Sequence, residues 1–472
     1  MKILFASSEA VPFIKSGGLA DVAGSLSSAL RKKMQACRVV VPLYDDIPPE
    51  MQKDMKFVTS FDVPLGWRNQ YCGVFEKTVN GLKYYFLDNE YYFKRRGLYG
   101  FFDDAERFAF FSKAVLEMIP HIGFEPEIIH CNDWQTALIP VFLNVFYRHL
   151  DTYRHIRTVF TIHNIQYQGT FDLSIRYDVL GLPASAASIV EYNGDTNFMK
   201  GGIEQCDAIT TVSPTYAEEI LDPWFAHGLD KLLRQHKGKL TGILNGIDVG
   251  FYDPETDPSI QKNYTADNLS GKAANKKELQ QRLGLIVDPK AMVIGMVTRM
   301  VSHKGMDLVQ AAFDRIMEMN VQFVLLGSGE WQFEKFFRET VMWYPERVSV
   351  TLGFDEPLSH RIYSGVDTFL MPSRSEPCGL SQIISLRYGT IPIVRSTGGL
   401  HDTVRDFGGE DGNGYDFLNN DPLDMLYAIQ RAETDFKKKK LWSEHIKAAM
   451  ASDYSWNSSA NQYIALYKGL LA

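Results

Sequence analysis

The sequence has little that would direct this chain to a membrane or to nucleic acid. No apolar run approaches the roughly 18 residues that a membrane-spanning helix needs. The N-terminus, MKILFASSEA, has too short an apolar core for a signal peptide. The formal net charge of −8 argues against a nucleic-acid partner, because such binding draws on clustered lysine and arginine. We therefore expect a soluble cytoplasmic protein, which can still hold a local basic pocket for one small anion.

The cysteines form no recognisable pattern. Cys37, Cys72, Cys131, Cys206 and Cys378 are scattered and odd in number, and no C-x-x-C pair is present. This spacing is typical of proteins from a reducing compartment that lack disulfides. No metal-ligand set is found elsewhere in the sequence, so we expect neither a metal nor another cofactor.

Short apolar runs, each followed by a turn and a helical pattern, recur along the whole chain. The 472 residues correspond to two or three domains at about 150 residues each. Because the runs are apolar throughout rather than alternating, both faces of each predicted strand should be covered, which is typical of parallel sheets in α/β domains. The runs cover residues 2–7, 38–43, 127–131, 158–162, 208–212, 293–298, 323–327, 348–352, 368–371 and 391–394.

A polar stretch separates two halves of the same kind. The apolar pattern ends at Leu244, residues 245–291 are mostly polar, and a new strand begins near Met292. We place a domain boundary after Leu244. Ligands of α/β domains bind where the strands end and the loops begin, and two such domains facing each other would form a cleft.

The first candidate site is KSGGLADV, directly after the first predicted strand. Gly17 and Gly18 allow close approach of a ligand to the backbone, and Lys15 adds a positive charge. The helix that follows would favour an anion such as a diphosphate at its N-terminus. Taken alone, a plain glycine turn between strand and helix explains the motif equally well, because the full G-x-G-x-x-G spacing is absent.

The second candidate is the pair Arg299 and Lys304, at the end of the predicted strand VIGMVT. Arginine suits forked contacts with phosphate oxygens, and lysine supplies a point charge. Together they could hold a diphosphate and stabilise it as a leaving group. The alternative is two solvated loop cations, but their position at a strand end favours the functional interpretation.

The third candidate is SRSEPCGLSQIISLRYG. Glu376 follows a strand, and Gly379 opens a predicted helix. The Leu380 and Ser381 amides of that helix could meet phosphate while the carboxylate binds sugar hydroxyls. Alone, Glu376 would more simply cap the helix. No histidine partner for Cys378 is evident, so a buried thiol is the better interpretation.

The fourth candidate combines HCNDWQTAL with FTIHNIQYQG. Asp133 and His163 each follow an apolar run, so both are expected at the ligand edge of one sheet. Trp134 and Tyr167 are aromatic neighbours suited to stacking on sugar faces. The alternative is a capping aspartate and a structural histidine.

Taken jointly, these motifs resemble the bacterial glycogen synthases and the related plant starch synthases. The likeness covers essentially the whole chain, from KILFASSEAVPFIKSGGLADV to YSWNSSANQYIALY. Each motif alone is weak, but the combination is specific to that family. The supporting stretches are HCNDWQTAL, FTIHNIQYQG, TTVSPTYAEEI, GILNGID, LQQRLGL, SRSEPCGLSQ and VRSTGGLHDTV.

The resemblance implies a GT-B fold, with two Rossmann-like α/β domains facing each other across a deep cleft. It implies an acceptor-side domain over 1–244, a nucleotide-sugar-binding domain over 245–445, and a C-terminal helical segment over 446–472 that crosses back to the first domain. The implied activity is transfer of glucose from ADP-glucose to the nonreducing end of an α-1,4-glucan such as glycogen. Configuration would be retained without a metal, and the lack of an obvious nucleophile favours front-face attack.

The same resemblance assigns roles residue by residue. Asp133, His163 and Glu376 match the polar residues around the transferred glucosyl unit. The diphosphate positions are matched by Lys15, Gly18, Arg299, Lys304, Leu380 and Ser381, with Gly379 beside them. Positions near the nucleotide and the hinge are matched by Asp21, Asn245, Gly353 and Phe354. The acceptor-side contacts would be Tyr99 and Trp134.

One departure concerns related transferases that carry a second glutamate eight residues after the first, where this chain has Ile384. This difference argues against assigning the chain to that broader group, and it does not indicate a loss of catalytic activity. Two alternatives stay open: a transferase of the same fold with UDP-glucose or another acceptor, and a catalytically silent glucan-binding protein. The sequence carries no signal of an oligomeric state.

Overall fold

The computed structural model describes residues 1–472 and divides them into two compact units. The first unit contains Met1–Gly246 and Trp456–Ala472, and the second contains Ile247–Ser455. The division therefore falls after Gly246 rather than after Leu244. Residues 446–455 stay with the second unit rather than with the C-terminal segment, because Ile446 and Ala449 pack into the core of that unit.

A nine-stranded sheet forms the centre of the first unit, and a small antiparallel sheet lies beside it. The strands are β1 (Lys2–Ala6), β2 (Ala36–Pro42), β3 (Lys56–Leu65), β4 (Arg68–Val79), β5 (Leu82–Asp88), β6 (Ile128–Asn132), β7 (Arg157–Ile162), β8 (Thr170–Phe171), β9 (Glu191–Tyr192), β10 (Asp195–Asn197), β11 (Ala208–Thr211) and β12 (Leu240–Gly242). The large sheet has the order β12-β11-β7-β6-β1-β2-β5-β4-β3, and only β4 runs antiparallel to the others. The small sheet has the order β8-β10-β9.

The helices of the first unit include the one predicted after the KSGG turn. They are α1 (Gly18–Lys32), α2 (Pro49–Gln52), α3 (Glu90–Phe93), α4 (Asp104–Met118), α5 (Leu138–Phe142), α6 (Ile175–Asp178), α7 (Phe198–Gln205), α8 (Pro214–Glu219) and α9 (Asp230–Gln235). A π-helical turn over Leu143–Tyr147 extends α5. Leu19, Val22, Ala23, Leu26 and Leu30 of α1 are all buried, as their helical spacing predicts.

The second unit is built on a six-stranded sheet that is parallel throughout. Its strands are β13 (Met292–Val297), β14 (Val321–Gly327), β15 (Val348–Leu352), β16 (Thr368–Met371), β17 (Ile391–Arg395) and β18 (Tyr415–Phe417), in the order β15-β14-β13-β16-β17-β18. Its helices are α10 (Ser270–Arg282), α11 (Met306–Met317), α12 (Trp331–Trp343), α13 (Glu356–Gly365), α14 (Ser381–Arg387), α15 (Gly398–Thr403), α16 (Pro422–Phe436) and α17 (Lys439–Met450).

Both faces of the second sheet are buried, as the continuous apolar runs predict. Met292 and Ile294 of β13 belong to one apolar cluster, whereas Val293 between them belongs to another. Since successive side chains of a strand point to opposite faces, the two clusters lie on opposite sides of the sheet. All ten predicted strands are present in the structure, and the prediction of an α/β fold with parallel sheets is confirmed.

The last helix, α18 (Trp456–Leu471), belongs to the first unit and packs against α1. Its Tyr463 and Tyr467 side chains are fully buried. The Tyr467 hydroxyl lies 2.7 Å from Nδ1 of His130 in β6, so a hydrogen bond joins the C-terminal helix to the centre of the sheet. None of the helices in the chain combines the length and the apolar character that crossing a membrane requires.

Candidate functional site

In the first unit, three adjacent strands present polar side chains at their carboxyl ends. Glu9 follows β1, Asp133 follows β6 and His163 follows β7. Because these strands are parallel and neighbours in the sheet, the three loops meet at one edge. The structure thus brings together Asp133 and His163, as predicted, and adds Glu9.

Asp133 and His163 are joined through the backbone. Asp133 has a φ of 54°, in the left-handed region that a non-glycine residue rarely adopts. Its Oδ1 accepts hydrogen bonds from the backbone N–H of His163 at 2.7 Å and of Asn164 at 3.4 Å. The tight turn therefore aims the carboxylate at the neighbouring loop and holds it there.

The imidazole of His163 has its own partner in Asn132. The distance from His163 Nε2 to Asn132 Oδ1 is 2.9 Å. Asn132 Nδ2 donates to the carbonyl oxygen of Ala6 at 2.9 Å, which leaves its Oδ1 to accept. The proton of the neutral ring is therefore on Nε2, and Nδ1 is the acceptor nitrogen.

Burial changes the charge states of these groups. It raises the pKa of the Asp133 carboxyl to about 7, although the N–H groups of His163 and Asn164 oppose the shift. Burial also lowers the pKa of His163 to about 3. At neutral pH the edge thus holds an uncharged imidazole beside a carboxyl group close to its midpoint.

Glu9 supports the loop that leads into α1. Its carboxylate accepts hydrogen bonds from the backbone N–H of Ser16 and from the Ser16 hydroxyl, the latter at 3.1 Å. Burial raises the pKa of Glu9. Glu9 was not among the residues predicted from the sequence, although its place three residues after the end of β1 is a strand-end position like that of Asp133.

The KSGG turn is ordered by a second contact. The Nζ of Lys15 lies 2.9 Å from Oδ1 of Asp21, which sits in the first turn of α1. Gly17 is the N-cap of that helix, and as a glycine it contributes no side-chain hydrogen bond to the first turn. The arrangement offers a cation and helix N–H groups to one anion.

The two predicted acceptor contacts are placed differently. The Tyr99 hydroxyl lies 2.8 Å from the Ser8 hydroxyl at the ligand edge, and burial raises its pKa well above the usual range. Trp134 is only 9% exposed and packs among Phe108, Phe171 and Phe198. Because the indole is buried among these three rings, its packing favours a structural role for Trp134.

In the second unit, Lys304 and Glu376 form an ion pair. The Nζ of Lys304 lies 2.8 Å from Oε1 and 2.6 Å from Oε2 of Glu376. The Ser373 hydroxyl donates to Oε2 at 3.0 Å. Lys304 precedes α11 after strand β13, and Glu376 follows β16, the neighbour of β13. Arg299, on the same β13 loop, is exposed.

The turn before α14 carries Gly379 and Leu380. Gly379 has a φ of 70°, and α14 begins at Ser381, two residues later than the glycine that marks it in the sequence. The Tyr363 hydroxyl donates to the Ser381 hydroxyl at 3.0 Å. Cys378 is buried, like the other four free cysteines, and Ile384 is buried on the inner face of α14.

The residues predicted near the nucleotide differ in exposure. Gly353 has a φ of 113°, and Phe354 beside it is 78% exposed. Asn245 is buried, and its Oδ1 has no hydrogen-bond partner within the protein. A buried acceptor without a partner is costly, which makes Asn245 a candidate for ligand contact. No group of three or more histidine, cysteine, aspartate or glutamate side chains is placed to hold a metal ion.

Comparison with known proteins gives matches over the full length. The glycogen synthase of Desulforamulus reducens is 51% identical over 476 residues, covering 100% of this chain and 99% of its own. The glycogen synthase of Geobacillus thermodenitrificans is 50% identical over 475 residues, covering 100% of this chain and 98% of its own. The chain belongs to the glycogen synthase family. The model of the starch synthase catalytic domain matches residues 2–235, and that of the glycosyl transferases group 1 matches residues 276–449.

Solved structures of related proteins confirm the fold expected of a glycogen synthase. The catalytic domain of starch synthase IV from Arabidopsis thaliana, bound to ADP and acarbose, is 35% identical with a TM-score of 0.93, covering 100% of this chain and 99% of that one. Sucrose-phosphate synthase from Thermosynechococcus elongatus shares the fold at 18% identity and a TM-score of 0.63, covering 99% of this chain and 98% of that one. The prediction of a GT-B glycosyltransferase with two Rossmann-like domains is confirmed.

Proposed function

We propose that this chain transfers glucose from ADP-glucose to the nonreducing end of an α-1,4-glucan with retention of configuration. The observation that carries the proposal is the Lys304–Glu376 pair, since it holds a cation suited to phosphate beside a carboxylate suited to sugar hydroxyls. Two further findings support it: the full-length relatives are named glycogen synthases, and the starch synthase IV structure was solved with ADP and acarbose.

The second unit binds the donor in this proposal. Arg299 and Lys304 hold the diphosphate, assisted by the amides of Leu380 and Ser381 at the start of α14. Glu376 accepts hydrogen bonds from hydroxyls of the glucosyl group. As the glycosidic bond breaks, negative charge grows on the departing diphosphate, and the fixed cations lower the barrier by stabilising it.

The nucleotide contacts come from three further residues. Phe354 is exposed and can stack on the adenine, and Gly353 allows the backbone turn that presents it. Asn245 uses its unpartnered Oδ1 to accept a hydrogen bond from the nucleotide.

Several other residues of the first unit have proposed roles of their own. Lys15 and the helix N–H groups from Gly18 onward bind phosphate oxygens, with Asp21 holding Lys15 in place. His163, neutral because burial lowers its pKa to about 3, hydrogen-bonds to a glucosyl hydroxyl. Tyr99 contacts the acceptor chain.

Asp133 orients the glucosyl group rather than attacking it. Its Oδ1 is engaged by two backbone N–H groups, and a carboxylate held in that way is a poor nucleophile. We therefore favour front-face attack. The acceptor hydroxyl bonds to the anomeric carbon on the face from which the diphosphate leaves, and its proton passes to a departing phosphate oxygen.

Release of nucleoside diphosphate with glycogen present tests this function. We expect rapid ADP release from ADP-glucose, and slower UDP release from UDP-glucose. An α-1,4-specific glucosidase should remove the transferred glucose. Removal would show that the new bond has the α configuration and that the configuration of the donor was retained. Release from UDP-glucose alone would show that the proposed donor, ADP-glucose, is wrong. Glycogen binding without release from either donor would support the alternative of a catalytically silent glucan-binding protein.

A further inference from the structure

The turn between β3 and β4 presents a tryptophan that is both exposed and fixed. Trp67 is 78% exposed, yet its Nε1 donates to Oδ1 of Asp178 at 2.8 Å. The guanidinium of Arg68 lies 4.4 Å from the centre of the indole and donates to Oδ2 of the same aspartate at 3.0 Å. Gly66 completes the turn, because a Cβ there would lie 2.3 Å from the carbonyl oxygen of Asp178.

The contacts with Asp178 tie the turn to α6, but they do not require the indole itself to be exposed. One face of the indole is covered by Arg68, and the high exposure leaves the other face open to solvent. An exposed tryptophan normally loses rotamer freedom when it binds a ligand, but Asp178 and Arg68 have already fixed the ring of Trp67. A large aromatic face held in this way binds flat ligands with little further loss of entropy.

The turn also lies at the ligand edge of the large sheet. Strand β3 is antiparallel to β4, which is antiparallel to β5, so β3 runs parallel to β1. The carboxyl end of β3, at Leu65, therefore shares an edge with the loops that carry Glu9 and Asp133. Four strand intervals separate β3 from β1 in the sheet, or about 19 Å at the usual strand spacing.

Two other exposed rings are linked to the tryptophan turn. Tyr177, next to Asp178 in α6, is 51% exposed. Tyr91 of α3, which follows β5, is also exposed, and its ring contacts Tyr92 at 5.2 Å. The Tyr92 hydroxyl bonds to Glu106, whose carboxylate lies 3.5 Å from Arg68. Contacts between side chains thus connect the tryptophan turn to the loops nearer β1.

We propose that Trp67 and Tyr177 form a docking platform for the acceptor glucan, outside the transfer site. The apolar face of a glucose ring would stack on the open face of Trp67, while Asp178 and Arg68 offer hydrogen-bond partners to its hydroxyls. The platform lies several glucose units from the loops of Asp133 and His163, so it holds long chains and has no effect on short primers. The inference rests on the proposed function, because it takes an α-1,4-glucan as the acceptor.

Binding to glycogen in the absence of donor tests the platform separately from catalysis. In native gels that contain glycogen, we expect the purified full chain to be retarded and Trp67→Ala to lose about three- to tenfold in apparent affinity. Trp67→Phe, which keeps an aromatic face, should be intermediate. The matched control is Phe57→Ala, because Phe57 is 57% exposed at the opposite end of the same strand, and it should bind like the original chain.

Kinetics provide the second measurement. The half-saturating concentration of glycogen should rise for Trp67→Ala by a similar factor, while turnover with maltotriose stays unchanged. Equal glycogen affinity of Trp67→Ala and the original chain, with both folded by circular dichroism, would overturn the platform. An equal loss with maltotriose and glycogen would also overturn it. If no transfer occurs but the retardation depends on Trp67, the proposed function fails and the platform stands.

Discussion

The Nζ of Lys304 lies within 2.8 Å of both carboxylate oxygens of Glu376. Glu376 is buried, and Lys304 is largely screened from solvent, so each charge needs the other. Without a ligand, the carboxylate of Glu376 balances the positive charge of Lys304. In the proposed mechanism a diphosphate then takes the place of Glu376 as the partner of the lysine. The lysine in turn supplies the counter-charge for a carboxylate whose oxygens can accept hydrogen bonds from sugar hydroxyls.

Replacing the lysine tests its proposed role at the leaving group. We expect Lys304→Ala to lower kcat by about 10²- to 10³-fold, since one fixed charge at the departing diphosphate is removed. The exposed Lys335 on α12, paired with a nearby glutamate, provides the control, and Lys335→Ala should keep full turnover. The measurement is ADP release at saturating glycogen. Near-normal turnover of Lys304→Ala would remove Lys304 from the mechanism.

The stability of the pair can be measured apart from activity. Glu376→Gln leaves Lys304 without its counter-charge and should cost about 1–3 kcal/mol in the free energy of unfolding. Adding Lys304→Met should restore part of this loss, because the double variant has no unpaired charge. Urea denaturation of the two single variants and the double variant measures the coupling. Strictly additive losses would show that the two side chains act independently.

The raised pKa of Asp133 predicts that the free energy of unfolding depends on pH. Its pKa is raised to about 7 in the folded chain by burial, whereas an unfolded aspartate titrates near 3.9. The folded state therefore holds the proton more tightly, and stability is lost as the pH rises from about 4 through 7. Asp133→Asn keeps an oxygen for the two backbone N–H groups but cannot ionise.

We expect Asp133→Asn to be about 1–2 kcal/mol more stable than the original chain at pH 8, with the difference shrinking towards pH 4. This is less than the full pKa shift would give, because solvent reaches part of the carboxylate. Turnover should fall sharply at every pH. Urea denaturation between pH 4 and 8 checks the result, and a stability difference that does not change with pH would contradict it.

Tyr467 ties the C-terminal helix to the sheet. Its hydroxyl bonds to His130, whose pKa is lowered to about 3 by burial, so the ring is neutral and needs a partner. Tyr467→Phe should cost about 1–3 kcal/mol in the free energy of unfolding, because one buried nitrogen is left without a hydrogen bond. Lys468→Ala, at the exposed neighbouring position of α18, should cost little. Equal stability of the two variants would contradict this account.

The ten strands predicted from continuous apolar runs were all found, whereas eight others were missed. Five of these are short, namely β8, β9, β10, β12 and β18, and the other three are β3, β4 and β5 of the large sheet. The exposed side chains of β3 and β4 interrupt their apolar residues, so they lack the continuous runs that marked the others. The Asn80-Gly81 turn between β4 and β5 and the Gly66-Trp67 turn before β4 were the available hairpin signals. Overlooking them also hid Trp67, the residue on which the docking platform depends.

The sequence by itself determined the family, the α/β class and the strand-end positions of most candidate residues, because apolar periodicity and motif order are local properties of the chain. Tertiary structure alone decided which of those residues pair, which are buried and which are charged. Lys304 meets Glu376 across a separation of 72 residues, and burial makes His163 neutral. Trp134 is buried and Trp67 is open, although both are tryptophans beside turns. Pairing, burial and pKa depend on neighbours from distant segments, and only the folded chain brings those neighbours together.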